Sequence, residues 1–483
     1  MFKTIQKTIP QDKSLPQRAY DLMVRRAVLK GKLYDKIDHP FHYEKSESNE
    51  YIPLRKRRPS VRSNLCRVVV DDSVSLLFSE NNFPTIEILD ADQKKAILQI
   101  AKECNLNDVM IDAATRGSVG SIAIMFKVIK GRVFLSVMDT DYLTPSWDKD
   151  APDTLESVKE KRIVDGQSLR DAGYTVKDDE LKARFWFMRK FTDSIEEWYI
   201  PFPAADDEKT ATLDAEKTVE HGLGFVPVVW VKNLPNGDDI DGQCTFPDEA
   251  IDTQIEIDYQ LSQAGRALKF MGDPTLMLKG ELDSGETELQ GGAENVLQVG
   301  KDGDAKLLEI NGNSTDAVMK YVTHLREVIL EGMHGNRASN EKMSAAQSGR
   351  ALELLNNGLI WLADRLRISY GENAILEIAR MIVLASNKFT LNFKDGTDVE
   401  RLDPKAQLSL RWPHWFTPTM QDMIDRATAL QLLCNNALMS RETAIRVLSG
   451  EYDILDAAAE KLMADADMKE RNDMATKSVS ITE

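Results

Sequence analysis

Three carboxylates recur at four-residue spacing, Asp248, Asp252 and Glu256, which aligns them along one side of a helix. Such an array transfers no chemical group by itself. It repels phosphate or attracts cations, and an ordinary solvated face shows the same pattern, so both readings stand at this point. The run Arg-Lys-Arg-Arg at 55–58 has the opposite sign; it reads as a solvated or partner-facing arm, with nucleic-acid binding as the second reading. Asp-Asp-Ile-Asp-Gly at 238–242 is close to a calcium loop, but Gly237 stands where the first carboxylate ligand belongs, so a polar linker is expected. His39 and His42 flank a Pro-Phe pair without a third ligand, and the other histidines are scattered. Cys66, Cys104, Cys244 and Cys434 match no metal-ligand or redox spacing and read as packing residues. The sequence holds no G-x-x-x-x-G-K-[ST], no G-x-G-x-x-G after a strand, no H-E-x-x-H and no G-x-S-x-G. With no nucleophile or base to name, the chain reads as a non-enzyme: no catalytic residue, no metal site, no cofactor.

At 483 residues the chain has room for two to four domains, and 42% hydrophobic with 29% charged residues is the balance of a soluble globular protein. The longest apolar run, 225–231, is short and interrupted by Pro227, so no membrane span is expected. The first residues lack an apolar stretch after their basic ones, which argues against a signal peptide. Action inside the producing cell, or in a particle assembled there, is the expectation. The net charge of −17 is uneven: residues 1–70 carry 16 Lys/Arg against 7 Asp/Glu, or +9, leaving −26 for the rest. An acidic balance argues against gripping nucleic acid over a wide surface, because such binding is driven by counterion release at phosphates. It remains compatible with letting DNA slide past.

Periodicity supplies the elements that must carry these residues. Helices are expected at 15–33, 64–79, 90–104 and 107–116, the last with Asn107 as its N-cap. Leu65, Val68, Val69, Asp72, Leu76 and Leu77 mark the core side of the second. Gly117 and Gly120 switch the period to extended, and 122–129 with 132–138, joined at Lys130-Gly131, reads as a hairpin. Strands at 183–191 and 225–231 complete a mixed first half ending near Asn233. Thr245-Phe246-Pro247-Asp248 opens an acid-capped helix whose apolar stripe is Ile257, Leu261, Ala264 and Leu268. Strand-like runs at 275–279, 296–299 and 306–310 follow, with Asp302-Gly303 as a hairpin turn. A returning helix from Asn313 or Ser314 carries Val318, Val322, Leu325 and Ile329 on one face. The segment 332–347 breaks the period, and from 348 a long helix runs to Leu384 with Gly358 and Gly371 as kinks. After strands at 389–393 and 408–412, the cluster of Trp412, Trp415 and Phe416 with Pro413 and Pro418 reads as a packed hinge, and helices at 420–435, 440–448 and 454–475 close the chain. Two striped helices around a β insert are hard to bury in one compact monomer. The residues alone therefore support an oligomeric, non-enzymatic helical assembly.

Five stretches resemble the portal proteins of tailed bacteriophages, the head-to-tail connectors. NLCRVVVDDSVSLLFSENNFPTIEI looks like the early helix and strand of the portal wing, and AATRGSVGSIAIMFKVIKGRVFLSVMDTDYLTPSWDKD like the glycine-marked hairpin after it. FVPVVWVKNLPNGDDIDGQCTFPDEAIDTQIEIDYQLSQAGRALKFMGDPTLMLKG is similar to the strand, linker, first stem helix and start of the clip. SAAQSGRALELLNNGLIWLADRL looks like the start of the long helix after the tunnel loop, and LRWPHWFTPTMQDMIDRATALQLLCNNALMSRETAIRVLSGEYD like the passage from wing to crown. None is a catalytic signature; their order and spacing carry the resemblance, and residues 1–60 are matched least.

The resemblance implies an α+β fold: a portal-type ring subunit with a mixed α/β wing, a helical stem, a small β clip and a C-terminal helical crown. The implied division is an N-terminal arm at 1–60, wing at 61–245, first stem helix at 246–269, clip at 270–312 and second stem helix at 313–333. A tunnel loop at 334–347, a long kinked helix at 348–388, wing strands at 389–416 and a crown at 417–483 complete it. It further implies a dodecameric ring at one capsid vertex, assembled in the host cytoplasm and carried in the virion, through which double-stranded DNA is packaged and ejected. Implied partners are the terminase large subunit, the major capsid or scaffold protein, head-completion and tail adaptor proteins, and the DNA itself, with no membrane. On this reading Asp248, Asp252 and Glu256 line the channel, and Asn336, Arg337, Asn340 and Lys342 lie nearest DNA in the tunnel loop. The competing reading is a nucleic-acid-processing enzyme with a basic N-terminal arm; a third is a monomeric adaptor.

Overall fold

The structure is a computed structural model that describes residues 1–11, 15–206, 211–237, 239–272, 275–279, 304–308, 313–335, 356–415, 420–448 and 457–479. The chain begins with helices α1 (Phe2–Gln6) and α2 (Gln17–Leu29), the second entered from an extended Pro16. These residues do not form a loose arm. Phe2, Ile5, Leu22, Val24, Val28, Leu33 and Phe41 join the main hydrophobic core. Charged neighbours mask that apolar period in the sequence, because Arg26 is itself buried and pairs with Asp141 and Asp139.

Helix α3 (Leu65–Phe78) runs through the middle of this core. Its buried side is Leu65, Cys66, Val69, Val70, Ser73, Val74, Leu77 and Phe78, rotated from the expected stripe, so that Val68, Asp72 and Leu76 lie at the margin. The physical reason is contact on several sides at once: α2 and the helices at Asp248–Gly272, Asn313–Gly332 and Asn357–Leu366 all pack on α3, and a single stripe no longer describes its environment. Strand β1 (Thr85–Glu87) and helix α4 (Ala91–Glu103) follow, Asp90 accepting from the Asp92 and Gln93 N–H groups as N-cap. Helix α5 (Leu106–Gly117) starts one residue earlier than expected. Its N-cap is Asn105 in a left-handed conformation (φ 52°), and Asn107 lies inside the helix.

The hairpin of β2 (Ser121–Ile129) and β3 (Arg132–Asp139) turns at Lys130-Gly131, both with positive φ, as a two-residue turn of primed type requires. Strands β4 (Leu143–Trp147), β5 (Leu155–Asp165), β6 (Arg184–Phe191), β7 (Ile195–Trp198), β8 (Phe202–Pro203) and β9 (Val219–Glu220) form an antiparallel sheet, with helix α6 (Gly166–Asp171) between β5 and β6. Only β6 of these was legible beforehand. β5 alternates charge with small and branched residues, so its apolar period is faint. Strand β10 (Val228–Lys232) joins β2 and β3 in the order β10-β2-β3. Alternation on β2 splits its side chains: Ile122, Ile124 and Phe126 enter the helical core, whereas Ala123 and Met125 meet Leu143, Val158 and Phe191 on the other face.

Helix α7 (Asp248–Gly272) leads to β11 (Thr275–Lys279), which pairs antiparallel with β12 (Asp304–Leu308), and helix α8 (Asn313–Gly332) returns against α7. The expected strand at 296–299 and the turn at Asp302-Gly303 lie outside the described residues. The α8 stripe is spent within the chain: Val322 and Ile329 are buried in the main core, with Val318 and Leu325 against it. The described part of the long helix comprises α9 (Asn357–Leu366), a π-helical segment at Arg367–Ile375 and α10 (Leu376–Lys388), and its expected start at 348–355 lies outside the described residues. Gly371 sits within the π segment, where a Cβ would stand 2.6 Å from Trp412 Cζ2; the local widening accommodates that close approach. Residues 389–393 are not a strand. Their one bridge is Asn392 to Asp398, whereas β13 (Ser409–Arg411) pairs with β1. Helices α11 (Met420–Asn435), α12 (Arg441–Leu448) and α13 (Ala457–Val479) end the chain. Among the described residues no helix is long and apolar enough to cross a membrane.

Candidate functional site

Helix α7 bears the three acids singled out above, and two of them, half-exposed, meet residues from the first 25 of the same chain. Phe2 donates its N–H to Asp252 Oδ1 at 2.6 Å, with the Met1 amino group 2.9 Å away. Burial alone would raise the Asp252 carboxyl, but the Phe2 N–H and the amino terminus outweigh it and hold it below the usual range. Arg25 approaches Asp248 at 3.5 Å. Glu256 accepts from the neutral Gln260 amide at 2.7 Å. The expected bare acidic stripe therefore carries cationic partners at two of its three positions, and only Glu256 keeps a neutral one.

The strongest polar anchor on α7 is a residue the sequence reading passed over. Asp258 is fully buried and accepts three hydrogen bonds: from Tyr34 Oη to Oδ2 at 2.8 Å, and from Ser63 N–H and Oγ to Oδ1, both at 2.8 Å. Burial raises its carboxyl above the ordinary value, against those donors and Arg62. One turn on, Ser262 Oγ accepts from the Ser60 and Val61 N–H groups, and Tyr259 Oη donates to the Arg57 carbonyl. Gln254 Oε1 accepts from the Cys66 N–H. The signal was available: Asp258 shares the face of Ile251 and Ile255, and a carboxylate on an apolar face must find partners.

At the base of α7, Asn233 joins three segments. Its Nδ2 donates to the Gln243 carbonyl and to Thr245 Oγ1, both at 2.9 Å, and its Oδ1 accepts from Tyr370 Oη at 3.1 Å. Asp241, from the calcium-like stretch, binds Arg18 bidentately at 2.5 and 2.8 Å and accepts from Ser121 Oγ, so that loop braces α2 against the β2 hairpin. The aromatic cluster also acts in packing. Arg367 lies 4.6 Å from the Trp412 ring centre and 3.2 Å from that of Trp415, and burial lowers its guanidinium to about 10. Phe416 and Pro418 lie outside the described residues, as do Asn336, Arg337, Asn340 and Lys342 of the proposed tunnel loop. The segment leading into that loop is held tightly: a Cβ on Gly335 would stand 2.5 Å from Val69 Cγ2, and the His334 and Trp361 rings lie 4.6 Å apart.

No grouping of three or more His, Cys, Asp or Glu that could hold a metal occurs among the described residues. The geometry around α7 is thus a set of hydrogen-bonded and ion-paired anchors, with no nucleophile–base pair among the contacts described. Comparison with known proteins places the chain. No curated protein matches it. The family described as phage portal protein, SPP1 Gp6-like, matches residues 18–472, spanning both helices of the α7–α8 pair, the β11–β12 insert and the helices at the C-terminal end. With nearly its whole length matched, the chain belongs to the phage portal protein family.

Proposed function

We propose that the chain is one subunit of a dodecameric ring at a capsid vertex, through which double-stranded DNA is packaged and later ejected. The family match over residues 18–472 carries this reading. Portal proteins are structural components of the virion capsid and form oligomeric rings, which suits a chain with no assignable catalytic residue. In this proposal α7 and α8 form the stem. At about 1.5 Å per residue, 25 and 20 residues give rods of comparable length, with the β11–β12 hairpin as the clip at their far end. The wing is the α+β part before α7, and the crown is α11–α13. The terminase large subunit would dock at the clip, the capsid or scaffold protein at the wing, and head-completion and tail adaptor proteins at the exposed end.

A channel that conducts DNA must avoid holding it. Carboxylates of Asp248, Asp252 and Glu256 turned to the lumen repel phosphates over about 8 Å at physiological salt, with Glu256 contributing the largest free charge of the three. Asn336, Arg337, Asn340 and Lys342 are proposed to lie nearest the duplex. Electron microscopy of the purified chain tests the central claim: a closed ring with an axial hole is expected. A solitary globule under assembly conditions, or nuclease or nucleotide turnover by the pure protein, would replace it with the adaptor or enzyme reading. Packaging kinetics with Asp248, Asp252 and Glu256 all changed to Lys test the channel assignment, where unchanged rates reject it. Crosslinking from Lys342 to packaged DNA tests the loop, and a clean absence of adducts counts against it.

A further inference from the structure

The basic run at 55–58 is not spent on the function above, and one of its members is placed unlike the others. Arg55 and Lys56 are exposed, whereas Arg57 is fully buried. Its Nε donates to the Ile52 carbonyl at 2.8 Å, and its guanidinium lies 5.0 Å from the Tyr51 ring. Nη1 and Nη2 are both buried without a hydrogen-bond acceptor among the described residues. The nearest carboxylate, Glu44, stands 3.9 Å from Nη1, beyond hydrogen-bonding range, and its Oε1 is instead engaged by Arg266 of α7. A buried guanidinium with its terminal N–H groups unspent forfeits several charge-assisted hydrogen bonds. Arginine forks of this kind match the oxygens of phosphate-type anions.

We propose that Arg57 and Arg266 form an oxyanion-binding site, for a phosphate group, which the Glu44 carboxylate partly occupies as an internal stand-in. Glu44 and Tyr51 are the movable cover: Tyr51 closes the Lys45–Tyr51 bridge, Glu44 is next to it and its carbonyl accepts from the Ile52 N–H, and both side chains are solvent-accessible. An oxyanion displacing Glu44 would accept from both arginines, and reach the Nη groups that Glu44 does not. Exposed Arg55 and Lys56 add positive potential at its mouth. The phosphate could be a free ion or part of a nucleic-acid backbone, and the two sources separate experimentally.

The test is calorimetric titration of the full chain with inorganic phosphate, at ionic strength matched with chloride. Glu44→Gln removes the competing charge and should tighten phosphate binding about tenfold, the equivalent of one charge-assisted hydrogen bond. Arg266→Gln should weaken it by a similar factor, and Arg57→Lys, which keeps the charge but loses the fork, should abolish it. Circular dichroism of each variant checks that it is folded. A short DNA duplex that competes with phosphate, and loses that competition in Arg266→Gln, identifies the backbone as the source; phosphate binding without such competition identifies the free ion. No phosphate heat beyond that of chloride in either wild type or Glu44→Gln, or equal binding in Arg266→Gln, overturns the proposal and leaves Arg57 as a packing residue held by the Ile52 carbonyl.

Discussion

Replacing Arg26 by Met tests whether the N-terminal residues are part of the fold. Arg26 and Asp141 are each 5% exposed. Arg26 Nε and Nη2 donate to the two Asp141 oxygens at 3.2 and 2.9 Å, and Nη1 donates to Asp139 Oδ1 at 2.7 Å and to the Arg116 carbonyl at 3.2 Å. Met fills similar space without a donor and leaves Asp141 buried without its cation. Asp139 keeps Arg116 at 2.7 Å, so it adds little to the penalty. Breaking one side of a buried ion pair costs about 3–5 kcal/mol. Asp141 can escape by taking a proton, and from an ordinary carboxylate value to pH 7 that costs about 4 kcal/mol at most. Burial already raises its carboxyl, which lowers this ceiling. The expected loss is therefore about 3–4 kcal/mol at pH 7, falling by about 2 kcal/mol at pH 5, where protonation is easier. Changing Asp141 to Leu in the same chain should return much of that loss, because no uncompensated charge remains. Urea unfolding followed by circular dichroism at both pH values measures all of this. A single variant within about 0.5 kcal/mol of wild type would refute the burial argument, and strictly additive losses in the double variant would refute the coupling.

Three more expectations concern packing and protonation. Gly117→Ala drives a Cβ into Tyr370 Oη and should cost about 1–3 kcal/mol as overpacking; Tyr370→Phe in the same chain should relieve part of it, and equal thermal midpoints for single and double variants would contradict this. Gly371→Ala drives a methyl against the Trp412 ring, so a lower melting point and altered tryptophan emission are expected, with an unchanged spectrum as the contrary result. Asp258 has a raised carboxyl in the folded state, so the folded chain holds that proton more tightly than the unfolded one. Its contribution is full below the ordinary carboxylate value of 3.8 and is lost as pH rises through the raised folded value. Asp258→Asn should flatten the stability profile above pH 4, and a slope identical to wild type would count against that assignment.

Much of the chain could be read locally. The hairpin at Lys130-Gly131 was legible because a positive φ at both positions is a property of the turn itself. The α7–insert–α8 layout was legible because its helical period is long and bounded by Gly272 and Pro274. Gly371 was legible as a place where the long helix departs from regularity, although the π-helical form of that departure was not, and Gly358 lies in the first turn of α9. The face of α3 was misjudged because it is contacted from several sides. Strand β5 escaped notice because its charged residues find partners on neighbouring strands, as Glu160 does with Arg189.

The sequence by itself determined most of the helical periods, the Lys130-Gly131 turn and the family, since each depends on residues a few positions apart or on their order along the chain. Only the tertiary structure decided which charges are spent on one another. Asp252 meets the backbone of Phe2 across 250 positions, Asp258 meets Tyr34 across 224, and Arg26 meets Asp141 across 115. A carboxylate looks the same in sequence whether it faces solvent, a channel or a buried guanidinium. Its role depends on the desolvation and partners that distant segments supply, and those come into being only when the chain has packed.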